Sequence, residues 1–174
     1  MKLKKIDNNN TIYIQKLYPY NRKKELNNRK KEQYKALLGI GGNIGDVRRR
    51  FNHLFIYMQK SPFLTIVETS IILKNPPFGY LAQDDFYNSL IFVKTCLQPK
   101  ALLRYILRLE KKFSRRRSFQ DAPRTLDIDM IFYEDLNIKS KDLTVPHPSW
   151  KERGSVTIPM SYMKSLYIKS IYLK

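Results

Sequence analysis

Several things are scarce in this chain, and each shortage narrows what it can be. There is one cysteine, Cys96, in 174 residues. A lone thiol has no internal partner, so a small fold stapled by disulfides is excluded. Cys96 sits near the end of the apolar run Leu90-Ile91-Phe92-Val93-Lys94-Thr95-Cys96-Leu97 and reads as a small hydrophobe rather than a nucleophile. No apolar run approaches the roughly 18 residues that a transmembrane helix needs. The N-terminus is rich in lysine but lacks the apolar core of a secretory signal, so a cytoplasmic address is the expectation. The two histidines have no Cys, His or Glu at zinc-ligand spacing, and no Ser-His-Asp arrangement is suggested. His53 falls on a helical stretch and reads as a surface residue.

Acidic residues are also few: 15 Asp and Glu stand against 33 Lys and Arg, a net charge of +18. Residues 1–35 hold 11 of the basic residues and 3 of the acidic ones, so +8 comes from that segment alone. A second basic cluster is Lys111-Lys112-Phe113-Ser114-Arg115-Arg116-Arg117. Such a balance attracts polyanions, whether nucleic acid, anionic lipid or nucleotide phosphates. Biased codon usage explains the N-terminal lysines about equally well, since Lys, Asn, Ile and Tyr are all frequent, and explains the arginine cluster less well.

What is present fits one globular domain. The hydrophobic fraction is 43%, and 9 Phe with 12 Tyr supply ample core material. Residues 1–33 read as a polar, basic extension, largely flexible, with a short edge strand at 11–15; residues 34–174 form the domain. A strand over 34–40 runs into a glycine-rich turn. Asp46 is a good N-cap, and Val47, Phe51, Leu54, Phe55 and Met58 recur at helical spacing over 47–59. A β-branched stretch predicts a strand over 63–73, a loop follows at Asn75-Pro76-Pro77-Phe78-Gly79, and a further strand covers 86–96. Pro99 opens a second helix with the stripe Leu102, Ile106, Leu109, Phe113. The fourth core strand covers 125–133, a Pro-flanked loop 142–147, and a short helix lies within 150–158. Strand, helix, strand, strand, helix, strand is the ferredoxin-like α+β order, an antiparallel sheet with helices packed on one face.

The heptad Pro123-Arg124-Thr125-Leu126-Asp127-Ile128-Asp129 carries the most information. Side chains alternate along a strand, so Asp127 and Asp129 share one face while Leu126, Ile128, Met130 and Phe132 line the other. Two close carboxylates repel, and a hard cation such as Mg²⁺ relieves them. Mg²⁺ held by one or two carboxylates completes its shell with water and substrate phosphates. For an isolated Asp-x-Asp, an edge strand with two exposed acids is the commoner explanation. The turn Gly39-Ile40-Gly41-Gly42-Asn43-Ile44-Gly45-Asp46 fails both the dinucleotide and the P-loop patterns and reads mainly as turn chemistry. Asn88 could hydrogen-bond a heterocycle stacked on Phe86, and His147 is held between Pro146 and Pro148.

Taken together, these segments resemble the 6-hydroxymethyl-7,8-dihydropterin pyrophosphokinases of folate biosynthesis, over about residues 37–159. The resemblance is carried by Gly41-Gly42-Asn43-Ile44-Gly45-Asp46, Pro76-Pro77-Phe78-Gly79, Gln83-Asp84-Asp85-Phe86-Tyr87-Asn88, Glu110, Arg115-Arg116-Arg117, the heptad, and Leu143-Thr144-Val145-Pro146-His147-Pro148. It implies a ferredoxin-like core and pyrophosphate transfer from ATP to the pterin hydroxymethyl group, with release of AMP. It implies two Mg²⁺ ions on Asp127 and Asp129, catalytic roles for Arg115 and Arg124, and ATP contacts from Glu110, Arg117, His147 and Arg153. The pterin pocket would consist of Pro76, Phe78, Gln83, Phe86 and Asn88. The chain departs from the family pattern at Ser114, where a glycine is usual, and at Ser155, where an aromatic is expected.

The expected partners are the small molecules ATP and hydroxymethyl-dihydropterin, with a monomer, no membrane and no nucleic acid. The alternative is an RNA-binding domain of the same topology, which the charge of +18 favours. That reading asks for a Lys/Arg-Gly opening to an aromatic strand, which residues 86–93 lack, and two acids on the sheet face would repel phosphate. A non-catalytic relative that kept the fold is the third reading, and the intact aspartate pair speaks against it.

Overall fold

The structure, a computed structural model, describes residues 2–8, 10–14, 34–77, 79–114, 122–165, 167–168 and 170. The elements are β1 (Lys2–Lys5), β2 (Thr11–Ile14), β3 (Tyr34–Gly42), α1 (Val47–Gln59), β4 (Leu64–Thr69), β5 (Ile72–Asn75), β6 (Phe86–Thr95), α2 (Pro99–Lys112), β7 (Asp127–Tyr133), β8 (Ile138–Lys139), β9 (Thr144–Val145) and α3 (Gly154–Ser161).

Both long helices start where their sequences dictate. The Asp46 carboxylate accepts the Arg49 N–H at 3.0 Å and caps α1, and Pro99 stands in the first turn of α2, where a missing N–H costs nothing. Each buries one stripe: Val47, Phe51, Leu54, Phe55 and Met58 from α1, and Leu102, Ile106 and Leu109 from α2. These pack on Ala36, Leu38 and Ile40 of β3 and on Ile91 and Val93 of β6 to form the main core.

In the sheet β7 lies beside β3, β3 beside β6, and β6 beside β4 and β5, every pair antiparallel. This is the ferredoxin-like order. The strand expected over 63–73 is broken into β4 and β5, which pair with successive parts of one edge of β6. Ser70 marks the break: its N–H still donates to the Leu90 carbonyl at 2.9 Å, but the Leu90 N–H returns to the Ser70 hydroxyl, which also bonds the Ile71 carbonyl, both at 2.8 Å.

Two findings differ from the sequence expectation. The helices do not all lie on one face. α3 and the residues after it cover part of the opposite face, where Val156, Met160, Met163 and Ile168 join Leu37, Leu90, Phe92, Ile131 and Phe132. Strict alternation also fails in β7. Leu38 pairs with Met130 but Leu37 with Phe132, so Ile131 is an extra residue, a β-bulge. Phe132 therefore changes sides and joins the α3 cluster, while Tyr133 takes its place against α1 and α2. The bulge lies beyond the aspartates and leaves their shared face intact.

Within the first 33 residues, β1 and β2 form a hairpin that extends the sheet past β5. The strand expected over 11–15 is β2, where Ile12 is fully buried with Ile71 and Leu73, and residues 15–33 of the expected extension lie outside the described residues. No helix among the described residues is long and apolar enough to cross a membrane.

Candidate active site

α3 covers only one end of its sheet face. At the other end, the termini of β3, β6 and β7 bring Gly39, Gly41, Phe86, Asn88, Asp127 and Asp129 together on one surface, since Gly41 pairs with both Asn88 and Asp127. Small residues in β3 are what keep this surface accessible. A Cβ on Gly41 would stand 2.8 Å from the Asn88 amide oxygen, and one on Gly42 would stand 2.5 Å from the Thr125 carbonyl oxygen. No ordinary contact is that short.

Arg124 ties the two halves of this surface together. Its guanidinium donates to the Asp127 carboxylate at 2.8 Å, and its central carbon lies 5.1 Å from the centre of the Phe86 ring. Asp129, with 43% of its side chain exposed, lies on the other side of Asp127 along the strand, and His147 Nε2 is 3.9 Å from its carboxylate. His147 is placed by its own backbone, whose N–H donates to the Ile131 carbonyl at 2.9 Å, and its Nδ1 lies 2.7 Å from the Pro148 carbonyl oxygen. The Asn88 amide donates to Asn75 Oδ1 at 2.7 Å, which fixes the orientation of its head group over Gly41.

Loop closure depends on one buried residue that sequence reasoning treated as part of a turn. Asn43 is 6% exposed. Its side-chain oxygen accepts the Arg124 N–H at 2.8 Å, and its own N–H donates to the Arg124 carbonyl at 3.0 Å. Its amide nitrogen donates to Gln83 Oε1 at 2.9 Å and to the Asp84 carbonyl at 3.1 Å. Three loops, carrying the glycine turn, Gln83 and Arg124, thus meet on one side chain. Arg50 adds a second tie, donating to the Ile44 and Thr125 carbonyls at 2.7 and 3.0 Å. The signal for Asn43 was an amide inside the glycine-rich turn, and for Asn75 an asparagine directly before Pro76-Pro77.

The remaining sequence-predicted residues divide. Gln83 borders the surface, and its own amide donates to the Tyr80 carbonyl at 2.6 Å. Pro76 follows β5 and is exposed. Arg153 is exposed at the start of α3, and no described contact joins it to the aspartates. Glu110, expected at ATP, is only 3% exposed, and its Oε1 accepts the Ile128 N–H at 2.8 Å. That oxygen holds the outer edge of β7 between the two aspartates, so it is taken up in positioning the strand. Phe78, Arg115 and Arg117 lie outside the described residues.

The donor set suits a hard cation that shares its shell with a substrate. Asp127 and Asp129 supply oxygen ligands from one face, and among the described residues no group of three or more His, Cys, Asp or Glu forms a closed metal cage. Two carboxylates on one face, one of them paired with Arg124, suit a hard cation such as Mg²⁺ that completes its shell with water and phosphate oxygens.

The relatives agree with this geometry. The chain is 36% identical over 137 residues to the 2-amino-4-hydroxy-6-hydroxymethyldihydropteridine pyrophosphokinase of Helicobacter pylori, covering 78% of this chain and 84% of that one. It is 41% identical over 128 residues to the Campylobacter jejuni protein of the same name, covering 74% and 82%. The Bacillus subtilis protein of that name is 32% identical over 126 residues, covering 72% and 75%. A family model described as 7,8-dihydro-6-hydroxymethylpterin-pyrophosphokinase matches residues 37–165, a span that includes every residue of the surface built above, and the chain belongs to that family of enzymes.

Proposed function

We propose that the chain transfers a pyrophosphoryl group from ATP to the hydroxymethyl group of 6-hydroxymethyl-7,8-dihydropterin and releases AMP. The observation that carries this reading is Arg124, which touches Phe86 of the proposed acceptor pocket and Asp127 of the carboxylate pair with one side chain. In the reaction the pterin hydroxyl oxygen attacks the β-phosphorus and a new P–O bond forms. The bond between the β-phosphorus and the α,β-bridging oxygen breaks, and AMP leaves with its electron pair. The hydroxyl proton is released.

Asn88 and Phe86 would orient the heterocycle, the first by hydrogen bonds and the second by its ring. Arg124 stands between acceptor and phosphates and would absorb charge as it builds on the bridging oxygen. Asp127 and Asp129 would hold Mg²⁺, and the ions would neutralise phosphate charge and align the chain of oxygens. His147, beside Asp129, would meet the phosphate side. Arg115, Arg117 and Arg153 would add positive charge there, and Glu110 acts through β7. Holding acceptor and donor in line accounts for much of the rate in such transfers, since the chemistry needs little covalent help. Pro76, Phe78 and Gln83 would border the pterin.

The purified protein is expected to form AMP from ATP only when Mg²⁺ and the hydroxymethyl-dihydropterin are both present. Asp127→Ala should lower turnover about a hundredfold or more. Absence of AMP with both substrates and metal supplied sinks the reading.

A further inference from the structure

A second basic site lies on the helix side of the sheet, opposite the aspartates. A cleft of about 390 Å³ opens between the first turns of α1, the last turn of α2 and the heptad, lined by Asp46, Arg49, Arg50, His53, Lys112 and Thr125. Positions 46, 49, 50 and 53 fall on one helical face, so Arg49, Arg50 and His53 project together. Lys112 joins them from α2. Among the described residues, three permanent cations thus face one carboxylate, and the Oδ1 of that carboxylate is occupied as the α1 cap.

Two of the cations have described contacts. The Nη1 group of Arg50 is fixed by the Ile44 and Thr125 carbonyls at 2.7 and 3.0 Å, which leaves the Nε and Nη2 donors of the guanidinium for a ligand. Lys112 Nζ lies 4.8 Å over the Tyr57 ring. The Thr125 hydroxyl is enclosed in the wall without a hydrogen-bond partner among the described residues. Arg50 ties the glycine turn to the heptad and Lys112 covers the Tyr57 ring, yet their charges and that of Arg49 stay uncompensated by the single lining carboxylate, which favours a counter-charge. The α1 N-terminus adds its own positive end to the same space.

We propose that this cleft binds a small phosphate-bearing dianion. Three cations against one carboxylate match a double negative charge, and the volume admits a phosphate group with a small substituent. Arg50 also grips the Thr125 carbonyl, two residues before Asp127, so occupancy bears directly on the heptad. The site is independent of the pterin and ATP assignments.

The two histidines make the test clean, because His53 lines this cleft and His147 stands at Asp129. Inorganic phosphate is titrated at fixed pH and ionic strength, with chelator present, while the ring proton resonances of both histidines are followed by NMR. The His53 resonance should shift saturably, with half-saturation at about 1–10 mM. The double variant Arg49→Ala, Lys112→Ala should weaken that curve at least about tenfold at unchanged thermal stability. Asp127→Ala should leave it unaltered. A His53 shift that stays linear to high phosphate, or a curve the same in the double variant, overturns the proposal.

Discussion

Arg124, Asn43 and Gly41 each do work that a neighbouring residue type could not. Arg124 donates to Asp127 while lying over Phe86, and lysine has neither the planar fork nor the stacking face. Arg124→Lys is therefore expected to lower kcat for AMP formation nearly as far as Arg124→Ala, about a hundredfold, with thermal stability little changed. Equal activity of the Lys variant and the parent would show that charge alone suffices. Asn43→Ala strips the hydrogen bonds that hold three loops and leaves buried partners unsatisfied, which should cost about 2–4 kcal/mol in urea unfolding. Gly41→Ala places a methyl against the Asn88 amide, so it should raise KM for the pterin about tenfold while KM for ATP holds.

At the scale of elements, periodicity located both long helices and three of the four core strands within two residues, because each buries a single stripe that must repeat at a fixed spacing. The heptad was legible for the same reason: Asp127 and Asp129 share a face whatever the rest of the strand does. The bulge at Ile131 was not, since an extra residue changes the parity of Phe132 and Tyr133 without altering composition. The break between β4 and β5 depends on Ser70 finding Leu90, twenty positions away, and no local pattern encodes that bond. The resemblance assigned Glu110 to ATP, and what the sequence did not show is that its Oε1 oxygen accepts the Ile128 N–H of the edge strand. The hairpin of β1 and β2 was half legible, as one short strand in a polar segment. Its contribution is measurable: Ile12 has no exposed surface, and Ile12→Ala is expected to cost about 2–4 kcal/mol in chemical denaturation, with turnover at low denaturant retained.

For the whole molecule, stability should fall on the alkaline side. Burial raises Tyr133, Tyr167 and Tyr87 above the ordinary tyrosine value of 10.0, and neighbouring acidic groups push the first two further. A group whose folded pKa lies above its unfolded one contributes stability that is complete below the unfolded value and is lost as pH rises through the folded one. Urea midpoints should be level from pH 8 to about 9.5 and decline above pH 10, as the unfolded chain ionises first. Absorbance titration of the phenols should show a late class in the folded protein that merges with the early class in urea. A Tyr133→Phe variant should lose part of the decline, together with the hydrogen bond of 2.7 Å to the Leu97 carbonyl.

The family match begins at residue 37, but the sheet does not, since β2 pairs with β5 along Thr11, Ile12 and Tyr13. A fragment trimmed to the matched span would leave the edge of β5 with open backbone donors and acceptors and with Ile71 and Leu73 uncovered. Among the described residues β1 is the outermost strand, and its exposed Lys4 and Lys5 are the kind of edge charge that discourages another chain from adding on. The β1–β2 hairpin is thus expected to guard the β5 edge against edge-to-edge aggregation. Light scattering of the trimmed fragment should show concentration-dependent self-association that the full chain lacks.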